Sequence, residues 1–155
     1  ANGTGLASNY TLSGATINVT VIPRALNVTL SREYDGTTVV SGASLTPTFD
    51  SLQGGETLAL SGTGSVSTAN VGSSKAVTLG TIALAAGSGN PNNYTLNTAN
   101  MNVTQRVINL DGIRAYDATT NVLSSDITTF GNIVSGETLT ISGTGSVGTN
   151  SVAMN

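Results

Sequence analysis

The chain has 155 residues, a net charge of −3 and only five basic side chains, too few for a surface that tracks phosphates, so nucleic acid is excluded as a partner. It holds no cysteine or histidine and no apolar run near the ~20 residues that cross a bilayer, which removes disulfides, thiolate sites and a membrane-spanning helix. Thr, Ser, Asn and Gly make up half of it, beside 38% apolar residues and three prolines, a profile of folded β-structure rather than disorder.

In chain order, residues 1–10 ("ANGTGLASNY") have neither the basic start nor the apolar core of a signal peptide and read as a cut edge. Tyr10 opens a strand in which Ile17, Val19 and Val21 alternate with polar residues, so these three are expected to face inward. A short joint, Ile22-Pro23-Arg24, leads to a second strand with Leu26, Val28 and Leu30 on one face. Asp35-Gly36 reads as a turn, Asp because its carboxylate accepts backbone N–H groups and Gly because it takes positive φ. Further strands place Leu58 and Leu60 inward, and "GSSKAV" around Lys75 reads as an exposed turn before a strand. In "AVTLGTIAL" the inward parity slips from Val77 and Leu79 to Ile82 and Leu84, with Gly80 at the slip, as at a bulge or sharp bend. Tyr94 opens a late strand, a second joint lies near Gln105-Arg106, and Leu139 and Ile141 form the inward face of a final strand. No stretch keeps helical spacing.

Self-comparison organises these elements. "SNYTLSGATINVT" (8–20) returns as "NNYTLNTANMNVT" (92–104), 84 residues later. "REYDGTT" (32–38) returns as "RAYDATT" (114–120) after 82, and "FDSLQGGETLALSGTGSV" (49–66) returns as "FGNIVSGETLTISGTGSV" (130–147) after 81. Three collinear blocks define a repeat of about 82 residues. Residues 1–22 are then the terminal strands of one repeat, 23–105 a complete repeat, and 106–155 the first part of another. Short strands and turn signals at this spacing predict an all-β fold of tandem Ig-like antiparallel β-sandwiches, with about seven strands each.

The repeated heptapeptide is read first as scaffolding, since it recurs with the fold period. Tyr34 and Tyr116 cap the core at a strand end, Asp35 and Asp117 hold the turn, and Gly36, matched by Ala118, shows that positive φ is not strictly demanded there. Tyr10 and Tyr94 are candidates for the tyrosine-corner role of Ig-like sandwiches. The functional alternative is an exposed Tyr–Asp pair stacking on sugars.

"REYDGTT", the following "SGTGSVSTANVGSSKAVTLG" and the closing "GNPNNYTL" together resemble the YDG-type repeat, named for its Tyr-Asp-Gly motif and found in very large exported bacterial adhesins of the filamentous-haemagglutinin-like kind. The resemblance covers 23–105 fully and the flanks in part, and Ala118 departs from it. It implies a secreted, extracellular β-sandwich array at the cell surface or in a biofilm matrix, acting as a stalk that extends a distal binding region, with a carbohydrate-binding module as the alternative. Such adhesins sometimes carry sugars on N-x-T sequons, here at Asn2, Asn9, Asn18, Asn27, Asn93 and Asn102.

No catalytic, cofactor or metal site is expected. General-base work falls to eight scattered carboxylates, and a nucleophile to Lys75, a Ser or a Tyr. Calcium would need several oxygens close together, and no D-x-D spacing occurs. The partners expected are neighbouring repeats of the same chain, other copies meeting laterally or head to tail through lysine-poor sheet edges, and extracellular polysaccharide.

Overall fold

The computed structural model describes residues 4–151. Between residues 23 and 105 the chain forms eight strands: β1 (Arg24–Glu33), β2 (Val39–Ser41), β3 (Thr48–Phe49), β4 (Leu58–Ser61), β5 (Thr63–Val66), β6 (Gly72–Thr78), β7 (Ala83–Ala86) and β8 (Tyr94–Thr104). Four short 3-10 turns punctuate the described chain, which holds no α-helix and so none long and apolar enough to cross a membrane.

Six of the strands make one curled sheet in the order β2-β5-β6-β8-β1-β3, and β4 pairs with β7 as a separate ribbon. The ribbon continues the β5–β6 hairpin: β4 runs into β5 through Gly62, and β6 into β7 through residues 79–82. At this bend Gly62 and Gly80 have φ of +76° and +56°, Thr81 N–H bonds Thr63 O at 2.8 Å, and Ile82 N–H bonds Leu79 O at 2.7 Å. The parity slip at Gly80 is this corner, where one hairpin leaves the main sheet and folds over its face.

Alternation along β1 buries Leu26, Val28 and Leu30, and Leu58 and Leu60 of β4 close over them from the ribbon. Val40, Val66, Ile82, Ala99, Met101 and Val103 fill the rest of the main core. Every buried apolar residue among those described lies between Leu26 and Val103.

The predicted all-antiparallel arrangement is not what forms. β8 runs parallel to β1 over its full length, from Arg24 opposite Tyr94 to Glu33 opposite Thr104, and antiparallel to β6 on its other side. A single extra residue, Asn97, bulges where the register moves from Leu26/Leu96 to Asn27/Thr98. Alternation dictates which face a residue takes but carries no information on the polarity of a distant neighbour. The parallel pair has a consequence for the chain's course. It comes in at Arg24 at one end of the sheet and leaves at Thr104 at the other, beside Tyr34, whose N–H bonds Thr104 O at 2.9 Å.

After residue 105 come β9 (Asn109–Gly112), β10 (Asn121–Leu123), β11 (Ile127–Gly131) and β12 (Thr144–Ser146). Their pairings repeat those of the first segment. Leu110 opposes Phe130 as Val28 opposes Phe49, and Asn121 opposes Ser146 as Val39 opposes Ser65. The offsets are the 82 and 81 residues of the sequence repeat.

Two expected strands do not form. Ile17, Val19 and Val21 are 86, 77 and 89% exposed, in a stretch without strand structure. Their counterpart β8 is held between β1 and β6, and no described residue before Tyr10 supplies either partner. Leu139 and Ile141 are likewise exposed and outside any strand, and among the described residues no strand stands against them as β7 stands against Leu58 and Leu60. The third correction concerns "GSSKAV", which lies within β6 rather than in a turn. Ser74, at φ +51°, forms a bulge there and donates its N–H to Asn102 Oδ1 at 2.8 Å. Lys75 reaches back along the strand to cap the preceding turn, its Nζ donating to Thr68 O at 2.6 Å and to Asn70 O at 2.5 Å.

Candidate functional site

The repeated heptapeptide follows the first strand of each segment and folds the same way twice. Asp35 Oδ1 accepts the N–H of Thr37 at 3.0 Å, and Asp117 Oδ1 accepts that of Thr119 at 2.9 Å. Each carboxylate thereby closes a turn over the residue between, which holds that residue in the left-handed region. Gly36 has φ +77° and Ala118 has φ +63°. Positive φ is therefore demanded at both positions, contrary to the expectation drawn from the alanine; at Ala118 the turn is made at some cost in backbone strain.

An arginine clamps each turn, and the sequence reading passed over it. Arg32 Nη1 pairs with Asp35 Oδ2 at 3.1 Å and donates to Val39 O at 2.5 Å, while Nη2 donates to Thr37 O. Arg114 Nη1 pairs with Asp117 Oδ1 and its Nη2 donates to Thr119 O, each at 2.5 Å. The N–H of Thr119, followed by the Arg114 guanidinium, holds the Asp117 carboxyl below the usual carboxylate range. The available signal was recurrence: Arg32 and Arg114 are two of only five basic residues and stand 82 apart.

The tyrosines divide by segment. Tyr94 is buried beside Leu26 and Leu58; its hydroxyl donates to Glu56 Oε2 and accepts the Gln53 N–H at 3.3 Å. The bond to Glu56 pushes its pKa up. This ties the start of the last strand to the loop before β4, as a tyrosine corner ties a sandwich. Tyr34 packs on the rim of the main core. Tyr10 and Tyr116, their repeat partners, are 77 and 65% exposed. The structure does not bring the seven motif residues into one site: Tyr34, Asp35 and Gly36 follow the end of β1, Tyr94 stands at the opposite end of the β1–β8 pair, Tyr116 and Asp117 lie in the turn after β9, and Tyr10 precedes the first strand.

What the Tyr34–Gly36 turn does meet is the 132–137 loop of the second segment. The Tyr34 hydroxyl donates to Glu137 Oε1, and that bond raises the tyrosine's pKa. A Cβ placed on Gly36 would lie 2.8 Å from Val134 Cγ1. Arg106 fastens the same joint. Its Nε donates to Asn132 O at 2.7 Å, Nη2 to Asn132 Oδ1 at 2.6 Å and Nη1 to Tyr34 O at 3.4 Å, with Glu33 Oε1 3.8 Å away. Asn132 returns a bond to the backbone, Nδ2 to Val107 O at 2.6 Å.

Of the sequons, Asn27 and Asn102 have side chains engaged within the sheet. Asn27 Nδ2 donates to Asp50 Oδ2 at 2.7 Å, and its Oδ1 accepts from Asn97 and Thr98 across the bulge; Asn102 Oδ1 accepts the Ser74 N–H. Asn2 lies outside the described residues.

Searches of curated proteins and of solved structures find no match. A family model does match: that of the YDG domain, over residues 20–101, which takes in β1 to most of β8 and the Tyr34-Asp35-Gly36 turn. With more than half of its length inside that match, the chain belongs to the YDG domain family.

Proposed function

We propose that the chain is a length of spacer from the stalk of a secreted bacterial adhesin or extracellular matrix filament, in which tandem Ig-like sandwiches hold a distal binding region away from the cell. The observation that carries this reading is the parallel β1–β8 pair, which brings the chain in at one end of the sheet and out at the other. A unit so threaded extends an array by its own length, whereas a unit whose ends meet does not. Recurrence of the β1/β3 and β2/β5 registers in β9/β11 and β10/β12 supports it, since like units then follow one another. Export, cell-surface placement and adhesion rest on the resemblance to filamentous-haemagglutinin-like repeats. The role is mechanical and non-catalytic.

A sugar-binding module is the second reading, favoured by the exposure of Tyr116 beside Asp117. Against it, Asp117 is already occupied by Arg114 and Thr119, and the hydroxyl of the matched Tyr34 is taken by Glu137 while its ring packs on the main core. The two separate in one experiment, in which a known binding module is displayed on bacteria above two, six or twelve repeats, with the repeats alone run on a glycan array. The spacer reading expects adhesion to rise with repeat number and the array to stay blank. Glycan retention by the repeats alone, or adhesion independent of their number, overturns it.

A further inference from the structure

The joint between residues 105 and 108 is short, yet the contacts that cross it come from four sources: the Tyr34 hydroxyl, the Gly36 backbone, the Arg106 guanidinium and the 132–137 loop. They are of different kinds. Tyr34 and Glu137 share a hydrogen bond to a carboxylate, Arg106 makes forked bonds to a backbone and a side-chain oxygen, and Val134 Cγ1 occupies the space that a side chain at Gly36 would need. The geometry points to a function for the motif itself. We propose that each Tyr-Asp-Gly turn is a socket for the Asn132–Glu137 loop of the repeat that follows, and that glycine at the third position is what admits the loop.

Glycine is not there for the turn alone, because Ala118 makes the same turn at nearly the same φ. The difference lies in the space above it. A Cβ at Gly36 would stand 2.8 Å from Val134 Cγ1, and valine's stiff χ1 leaves it little room to withdraw. Over Gly54 or Gly136, by contrast, nothing stands within 4 Å.

The glutamate is suited to serve two masters. Glu137 stands 81 residues after Glu56, whose Oε2 takes the hydroxyl of its own segment's Tyr94; Glu137 takes Tyr34 on Oε1. A carboxylate offers two oxygens, so a single glutamate per repeat accommodates the late tyrosine of its own unit and the motif tyrosine of the unit before. It follows that a turn with alanine, as at Ala118, does not seat a valine in register with Val134.

This inference rests on the reading above only in taking the two segments as successive repeats. The chain has no cysteine, so spin labels placed by Ser67→Cys and Ser125→Cys report one distance across the joint. The parent is expected to give a single narrow distance distribution. Gly36→Ala should shift or broaden it, and adding Val134→Ala should return it towards the parent while the strain at residue 36 stays the same. Glu137→Ala, on an exposed loop, should broaden it without any change at the turn. A broad parent distribution, a Gly36→Ala variant like the parent, a double variant no better than Gly36→Ala, or a silent Glu137→Ala each overturns the socket. None of these outcomes measures adhesion or array length, so the socket and the spacer fail separately.

Discussion

Arg32 draws the backbone of Thr37 and Val39 and the carboxylate of Asp35 onto one guanidinium. Lysine has the charge but not the planar fork that lets Arg32 address Val39 O from Nη1 and Thr37 O from Nη2. Arg32→Lys is therefore expected to destabilise by up to about 1.5–3 kcal/mol, the range for hydrogen bonds to charged groups, seen as a lower urea midpoint with unchanged slope. Asp50 gives a pH-dependent test at the same scale. Its carboxylate accepts the backbone N–H of Asn27 at 3.1 Å and, next in effect, the Asn27 side chain, which lowers its pKa. A carboxyl with a depressed folded pKa contributes stability in full above its unfolded value, about 3.9, and loses it as pH falls through the folded value. The urea midpoint of the parent should exceed that of Asp50→Asn by a constant margin between about pH 5 and 7, and the margin should close below about pH 4. A margin that does not move with pH contradicts the assignment.

At the scale of elements, the corner between β4–β7 and β5–β6 depends on glycine for two separable reasons. Gly62 needs its positive φ, and a Cβ there would fall 2.1 Å from Thr81 O. Gly54 has a similar φ, +59°, but open space around it. Gly62→Ala should thus cost roughly 2–5 kcal/mol, strain and overpacking together, and Gly54→Ala only about 1–2 kcal/mol from strain, compared by urea unfolding. Equal costs would show that the corner is looser than the packing implies. This corner was legible in the sequence because its signal is local: parity slips within nine residues and a glycine marks the place. The inward face of β1 was legible for the same reason. Ile17 to Val21 and Leu139 to Ile141 carry equally clean alternation yet stay exposed, since alternation assigns a face and burial requires partner strands. The β1–β8 polarity joins residues about 70 apart, and no local pattern encodes it. In the motif, tyrosine and aspartate attracted attention as chemistry-bearing residues. Arg32 did not, although its recurrence as Arg114 carried the same signal, and the contact of Gly36 with Val134 was invisible without the loop's position.

For the whole molecule, reach depends on displacement along the strand direction. Ten residues of β1 lie alongside β8 between the end where the chain arrives and the end where it leaves, a span of about 33 Å at the usual rise of a strand. The exit is then fixed to the next segment by Arg106 and the Tyr34–Gly36 turn, not by a flexible Gly/Ser linker. Small-angle X-ray scattering on chains of two, four and six repeats measures the result directly. The maximum dimension is expected to rise almost linearly, by about 30–40 Å for each repeat added. A dimension that levels off as repeats are added, as compact globules or freely swivelling units would give, contradicts it.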